Sequence, residues 1–330
     1  MKSLYKNFRE SMAARLRTHF RSKEQLEDIA YVMVQMLKLP MQQARELARK
    51  GAAQRKQINR LPQMKNSAHA LATLRSLNVP LNLPGALRVL DAHAGQSYLL
   101  ALPFSVSAMS LIAHLIRDTK RRFYIIDTRF TRYYFHPFLV APETLERVQL
   151  LPAAAMLRQN RAAAPEAMTY VTFPDLESTS LDTARRVRFL GEDYQFTTLE
   201  PLLFFRGLAP LFTFAAGDSG EIKLVAYESP KVNAVTEADI DALLAWLAQN
   251  MEQVFREAPA DVLSWAETRM LAYSMKATTA VMKLKMIEGY VRAWKSADPS
   301  FNDAAFARSI VELQKVQETI DKERLAASSG

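Results

Sequence analysis

The chain has 330 residues, of which 49% are hydrophobic and none is cysteine; this excludes a wholly disordered protein, disulfides and cysteine-ligated zinc, and fits a reducing, cytoplasmic setting. Residues 1–65 hold 15 Lys/Arg and five Asp/Glu, a net of +10 against +9 for the whole chain, so the excess positive charge sits in the N-terminal fifth. Such a segment either meets an anionic partner (a membrane leaflet or an acidic protein) or is a solvated basic face.

Leu4, Phe8, Met12, Leu16 and Phe20 recur every four residues among Lys6, Arg9, Arg15, Arg17 and Arg21, which predicts a basic amphipathic helix over 3–21. Ser22 and Gln25 have capping-box spacing and open a second helix that ends before Pro40. A third helix is expected near 41–50, stopping at Gly51, with a polar linker over 51–66. Another carries Leu71, Leu74 and Leu77 on one side and is ended by Pro80 and Pro84. From residue 87, β-prone runs alternate with helical ones. Strands are expected at Leu87–Asp91, Phe123–Asp127, Thr169–Phe173, Val187–Leu190, Leu211–Ala215 and Ile222–Tyr227, with helices around 97–117 and 152–163. This alternation predicts an α/β fold, a mostly parallel central sheet with helices on both faces. Thr236 and Asp239 open a helix carrying Leu243, Leu244, Leu247, Met251, Val254 and Phe255. Beyond Pro259 the pattern is helical to about Lys295, Pro299 breaks it, and a last helix bears Phe306, Ile310, Leu313, Val316 and Ile320. The expected division is a basic helical N-terminal region, 1–84, an α/β domain, 85–269, and a helical C-terminal extension, 270–330. The longest uncharged stretch, Ala92–Ile116, contains Pro103, serines and two histidines and reads as a buried helix, not a membrane span. No apolar segment follows the N-terminal basic residues, so no signal peptide is expected.

The nine glycines form neither G-x-G-x-x-G nor a P-loop, G-x-S-x-G is absent, and the five histidines lack H-E-x-x-H spacing. Neither a metal nor a cofactor is expected. The informative stretch is Leu87-Arg-Val-Leu-Asp91-Ala-His93-Ala-Gly-Gln96-Ser97-Tyr98, read as a strand end, a turn and a helix start. That reading puts His93 at the carboxyl edge of the sheet, where open α/β folds place ligands, beside a helix N-terminus that favours the neutral imidazole a general base needs. The alternative is that His93 merely fills a polar position at a strand end.

This stretch resembles the His-x4-Asp/Glu motif of the lysophospholipid acyltransferase superfamily, in which the histidine deprotonates the acceptor hydroxyl. Arg122-Phe-Tyr-Ile-Ile-Asp127-Thr-Arg129 is similar to the second block, a strand ending in arginine. Tyr170-Val-Thr-Phe173-Pro174-Asp175-Leu-Glu177 resembles a degraded Phe-Pro-Glu-Gly-Thr-Arg motif, or the Asp-Gln strand end of the lipid A late acyltransferases, whose Phe-Gly pair is matched by Phe189-Leu-Gly191. Leu208-Ala-Pro210 through Phe214 is similar to the last motif, a proline before a buried strand. Met251-Glu252 through Arg256, Pro259, Trp265 and Arg269 resembles the closing signature of the lipid A enzymes, with one residue more between Pro and Trp.

The resemblance implies acyl transfer from an acyl carrier protein or CoA thioester to a hydroxyl or amine of a lipid or biosynthetic intermediate, with no metal or prosthetic group. His93 would be the base, oriented by Asp91 or Asp175; Gln96, Ser97, Arg129, Glu177, Arg185 and Arg186 would bind substrate. The family acid is missing, because Tyr98 stands in its place, and a tyrosine cannot stabilise an imidazolium as a carboxylate does. Three readings follow: another carboxylate substitutes, the acceptor needs less activation, or the site is dead and the fold is a binding partner or scaffold in a biosynthetic complex. Residues 3–21 would dock on the inner face of a membrane, and the C-terminal helices would pack on the core or in a homo- or hetero-oligomer. Nucleic acid is not expected, since aromatics are not interleaved with the basic residues.

Overall fold

The computed structural model describes residues 23–64, 66–159, 167–176, 184–205, 210–217, 220–227 and 235–265, together with Val311, Gln314, Lys315 and Glu318. The chain groups into two units, 1–268 and 269–330. In the second, the four described residues are helical. The helix expected over 3–21 and the helical pattern from 266 onward otherwise lie outside the described residues.

The first unit opens with α1, Lys23–Leu37, and α2, Met41–Ile58. Gly51 does not end α2. The helix runs through it on Ala52, Ala53, Gln54 and Arg55, all residues that lose little freedom in a helix. Glycine is needed there for close approach: a Cβ would lie 2.7 Å from the Ala260 carbonyl oxygen. After a short 3₁₀ turn at Leu61–Gln63 comes α3, Ser67–Arg75, capped by Asn66, whose side chain accepts the Ala68 N–H at 2.7 Å.

Residues 87–91 are helical, which corrects the strand expected there: α4 spans Leu83–Asp91. Asn82 caps it by accepting the Gly85 N–H at 2.9 Å, and Pro84 lies in the first turn, where its missing N–H costs no hydrogen bond. Pro84 therefore starts a helix instead of stopping one. The first strand, β1, is Tyr98–Ala101, within the stretch expected to be helical. Pro103 disfavours helical backbone at the residue before it, so the helix that follows, α5, begins only at Val106 and ends at Asp118.

The chain then alternates: β2, Arg122–Ile126; α6, Arg129–Tyr134; α7, His136–Val140; α8, Pro142–Leu145; β3, Val148–Leu151; α9, Ala153–Gln159; β4, Met168–Thr172. A hairpin of β5, Ala184–Phe189, and β6, Glu192–Thr197, leads to α10, Leu199–Phe205, then β7, Leu211–Ala216, and β8, Ile222–Ala226. Helix α11, Glu237–Glu257, starts at a full capping box between Thr236 and Asp239. No helix among the described residues is long and apolar enough to cross a membrane.

Six strands form one sheet in the order β3-β2-β4-β1-β7-β8, parallel except for the β7–β8 pair. This is the expected α/β architecture. Alternation along the strands divides two cores. Leu100, Phe123, Ile125, Val171, Phe212 and Phe214 face α3, α4 and α5. Leu99, Ala101, Tyr124, Met168, Tyr170 and Leu211 face α9, α10 and α11. Each buried Leu or Phe contributes about 1.5–3 kcal/mol, so the two faces supply most of the driving force. β1 is buried along its length between β4 and β7, as a central parallel strand must be.

Gly51→Ala reverses the usual sign of a glycine-to-alanine change inside a helix. The intrinsic gain of about 1 kcal/mol is outweighed by the clash with Ala260, and a net loss of roughly 1–2 kcal/mol is expected. Urea unfolding followed by circular dichroism measures it; a stabilised variant would mean that α2 and the 258–262 segment are not in contact.

Candidate functional site

The residues singled out in the sequence separate onto opposite edges of the sheet. His93 precedes β1, whereas Asp175 follows β4, the parallel neighbour of β1 in register from Tyr98↔Thr169 to Ala101↔Thr172. The four residues of β1 alone rise roughly 13 Å between those edges. His93 therefore lies at the amino edge, not at the carboxyl edge. The correction follows from the helix at 83–91: the turn joins a helix to a strand, the reverse of the order expected.

At that edge the surroundings of His93 are structural. Its N–H donates to the Leu90 carbonyl at 2.9 Å, and its ring meets Phe212 edge-on at 5.4 Å. Its Nδ1 is shielded from solvent and has no hydrogen-bond partner. Asp91, exposed, is the last residue of α4, so the two side chains do not share a face as they would on a strand. Tyr98 is a buried strand residue lying 4.1 Å under the Arg121 guanidinium. Burial raises its phenol, with Arg121 pulling the other way. Arg121 also donates to Ala94 O at 2.7 Å, to Met168 O and Thr169 Oγ1 at 2.8 Å, and to Gln96 O, stapling the 94–97 loop to β4. Ser97 Oγ accepts the Met168 N–H at 3.1 Å. Gln96 and Ser97 thus hold a loop together through these contacts, with no helix opening at them as expected.

Arg185 and Arg186 lie on β5, in a two-stranded sheet separate from the main one, and Arg185 pairs with Glu237. Arg129 opens α6 at the carboxyl edge, but its side chain lies outside the described residues, as does Glu177.

The carboxyl edge carries a different constellation. Phe104 N–H donates to both oxygens of Asp175, at 2.9 and 3.0 Å, and Ser264 hydroxyl donates to the same carboxylate. Asp261 takes the next turn. Its carbonyl accepts the Val106 N–H at 2.9 Å and its carboxylate accepts the Ser107 N–H at 3.2 and 3.3 Å. Ser105 Oγ accepts the Ala108 N–H at 3.1 Å and its carbonyl the Met109 N–H at 3.1 Å. The first N–H groups of α5, those a helix normally leaves open, are therefore all satisfied from within. Phe104 fills the space above, against Phe173 at 5.1 Å, Tyr134 at 5.6 Å and Phe130 at 6.0 Å. Every residue from Ala101 to Ile116 is buried.

No family model matches the chain, and no curated protein does.

The structure gives several of the motif residues packing roles. Trp265 is fully buried and its indole donates to the Pro259 carbonyl at 2.7 Å. Glu252 accepts the Leu190 N–H at 2.8 Å at the tip of the β5–β6 hairpin and pairs with Arg256 at 2.6 Å. Leu190 and Gly191, with φ of 53° and 82°, form the two-residue loop that a right-twisted hairpin needs. Among the described residues no three His, Cys, Asp or Glu side chains converge to hold a metal ion. His114, whose Nδ1 lies 2.8 Å from Ser110 O while Nε2 lies 3.0 Å from Arg75 Nε, is a structural residue in α5.

Asp261, Ser264, Glu200 and Arg55 went unrecognised in the sequence. Asp261 and Ser264 stand inside the Pro259–Trp265 stretch, and only their burial marks them. Glu200, in the first turn of α10, is buried beneath the second core; burial raises its carboxyl, and the Thr197 hydroxyl donates to it at 3.2 Å.

Burial also pushes the Asp261 carboxyl up to about 6 from 3.8, against hydrogen bonds from Ser107 and Ser105. The folded chain then holds this proton more tightly than the unfolded one. The associated stability is fully present below the unfolded value and is lost as pH rises through about 6, about 3 kcal/mol in all. Asp261→Asn removes that dependence. Urea unfolding at about pH 4, just above the unfolded value, and about pH 7.5 should show the wild type losing roughly 2–2.5 kcal/mol relative to the variant; a constant difference would mean that Asp261 titrates normally.

Proposed function

We propose that the chain is a catalytically silent, acyltransferase-like protein that acts as a binding partner in a lipid or natural-product biosynthetic complex. The observation that carries this reading is the turn after β1. In an open α/β sheet the reactive group belongs at that carboxyl edge, within hydrogen-bond reach of the substrate. Here the turn is Leu102-Pro103-Phe104-Ser105, entirely buried, with no titratable base. The helix N-terminus that would stabilise a developing oxyanion is already occupied by Asp261 and Ser105. Asp175 accepts the Phe104 N–H and the Ser264 hydroxyl, so backbone and a serine take up its oxygens. The partner in this reading is an acidic acyl carrier protein or acyl-CoA, attracted by the basic N-terminal residues; homo- or hetero-oligomers through the C-terminal helices belong to the same reading.

The competing reading keeps His93 as base, on the strength of its unpartnered Nδ1. Purified wild type, His93→Ala and Asp175→Asn are incubated with radiolabelled acyl carrier protein thioester and a lipid hydroxyl acceptor. All three should transfer no more label than a blank without protein. Transfer by the wild type that is lost in His93→Ala would restore the enzyme.

Peripheral attachment to the inner face of a membrane is part of the same proposal, supported by the charge of +10 over residues 1–65. A variant lacking residues 1–21 should sediment with anionic liposomes several-fold less than the full chain at low salt, with the gap closing as salt rises. Equal sedimentation would remove the docking helix from the proposal.

A further inference from the structure

Helix α2 carries a buried guanidinium to which the described residues bring no ion pair. Arg55 is only 8% exposed. Its Nη2 donates to the Val262 carbonyl at 2.9 Å, over the bare backbone of Gly51. Nε and Nη1, which between them carry three N–H donors, are shielded from solvent and have no hydrogen-bond partner. Among the described residues Arg55 forms no ion pair. The two carboxylates of this region are turned elsewhere, Asp261 onto the Ser107 N–H and Asp175 onto Phe104 and Ser264. Tyr134 stands near, but its hydroxyl donates to Asn59 Oδ1 at 2.9 Å, and burial pushes its ionisation far up, so it stays neutral. Burial lowers Arg55 to about 10, which still leaves it charged at neutral pH.

A buried cation with no counter-charge costs several kcal/mol, and native folds leave such groups open where something else completes them. The place is also the right one. Val262 pairs with Ser105 just beyond β1, and Tyr134 ends the helix that follows β2, so Arg55 stands at the carboxyl edge of the sheet. We propose that Arg55 is the receptor for a small oxyanion, a phosphate or a carboxylate, held between α2, α6 and the 258–262 segment. A water molecule would satisfy the N–H groups but not the charge; an oxyanion does both, through several lone pairs on one centre. The inference is independent of catalytic silence, because a partner protein and an enzyme would both use such a receptor to hold an anionic metabolite or headgroup.

The full chain is melted in a Tris–chloride buffer of fixed ionic strength, free of oxyanions, while inorganic phosphate, sulfate, acetate or octanoate is titrated in. At least one oxyanion should raise Tm saturably, by about 5 °C at a hundredfold excess over its Kd. The phosphate and carboxylate arms tell which class is preferred. Arg55→Gln should abolish the rise, while Arg60→Gln, which removes an exposed charge from the end of the same helix, should keep it. No rise with any of the four, or an equal rise in Arg55→Gln, would overturn the assignment and leave water as the occupant. If Arg55→Gln fails to fold, Arg55→Lys is compared by calorimetry with the preferred anion. The lysine variant, lacking the planar donor set, should bind at least about tenfold more weakly; equal affinity would also overturn it.

Discussion

Two carboxylates, Asp175 and Asp261, are withdrawn from water at the carboxyl edge of the sheet, and what replaces their hydration is chiefly the backbone of one short turn. Removing a carboxylate from water costs several kcal/mol, while each charge-assisted hydrogen bond returns about 1.5–3 kcal/mol. The balance holds only while Phe104, Val106 and Ser107 present their N–H groups in a fixed order. The turn is therefore one of the most constrained pieces of backbone in the unit. Pro103 and the cap made by Ser105 add to that constraint by leaving the chain no alternative helical path through it.

From this rigidity follows the placement of Phe104. With its N–H tied to Asp175 and its carbonyl accepting the Leu263 N–H at 2.9 Å, the side chain has one direction to take, into the aromatic layer of Phe130, Tyr134 and Phe173. These rings pack on one another just beyond β1, on the edge where parallel sheets normally offer a crevice to substrates. At the other edge, Arg121 performs a comparable service for the 94–97 loop, with four hydrogen bonds and a stacked tyrosine. Both ends of the central strand are thus closed by ionised side chains whose partners are mostly main-chain groups.

How far the fold could be read from residues alone depends on the kind of signal. Strands β2, β4, β7 and β8 were legible because short runs of Val, Ile, Leu and aromatic residues stand between polar turns. Helix α11 was legible because Thr236 and Asp239 write both its start and its cap. Leu87–Asp91 suits either state, because Leu87, Val89 and Leu90 are too few apolar residues to fix a period, and the deciding signal, Asn82 before Pro84, starts a helix where a proline alone suggests a stop. β1 was absorbed into a helix because Leu99–Leu102 and the apolar face of α5 merge across Pro103 into one uncharged stretch. The expected placement of His93 changes with it: once the strand moves from 87–91 to 98–101, His93 changes edges. Asp175 was singled out as a possible partner for an imidazole, and it does sit at a strand end, but its partners are an amide and a serine 89 residues away. Asp261 and Arg55 left no local trace, since burial of a charged group is decided by tertiary contacts that no window of sequence contains.

The long reach of these contacts has a consequence for how the polypeptide reaches its native state. Arg55 bonds a carbonyl 207 positions later, Ser107 a carboxylate 154 positions later, and the Asn82 N–H donates to the Ile222 carbonyl of β8, 140 positions later. During synthesis the early helices can form as they emerge, yet the central turn and the first guanidinium stay hydrated until residue 262 has left the ribosome. Completion is a late, high-contact-order event, slow by comparison with local helix formation. A nascent chain stalled short of that point would carry an uncapped α5 and open strands, the kind of surface that chaperones hold.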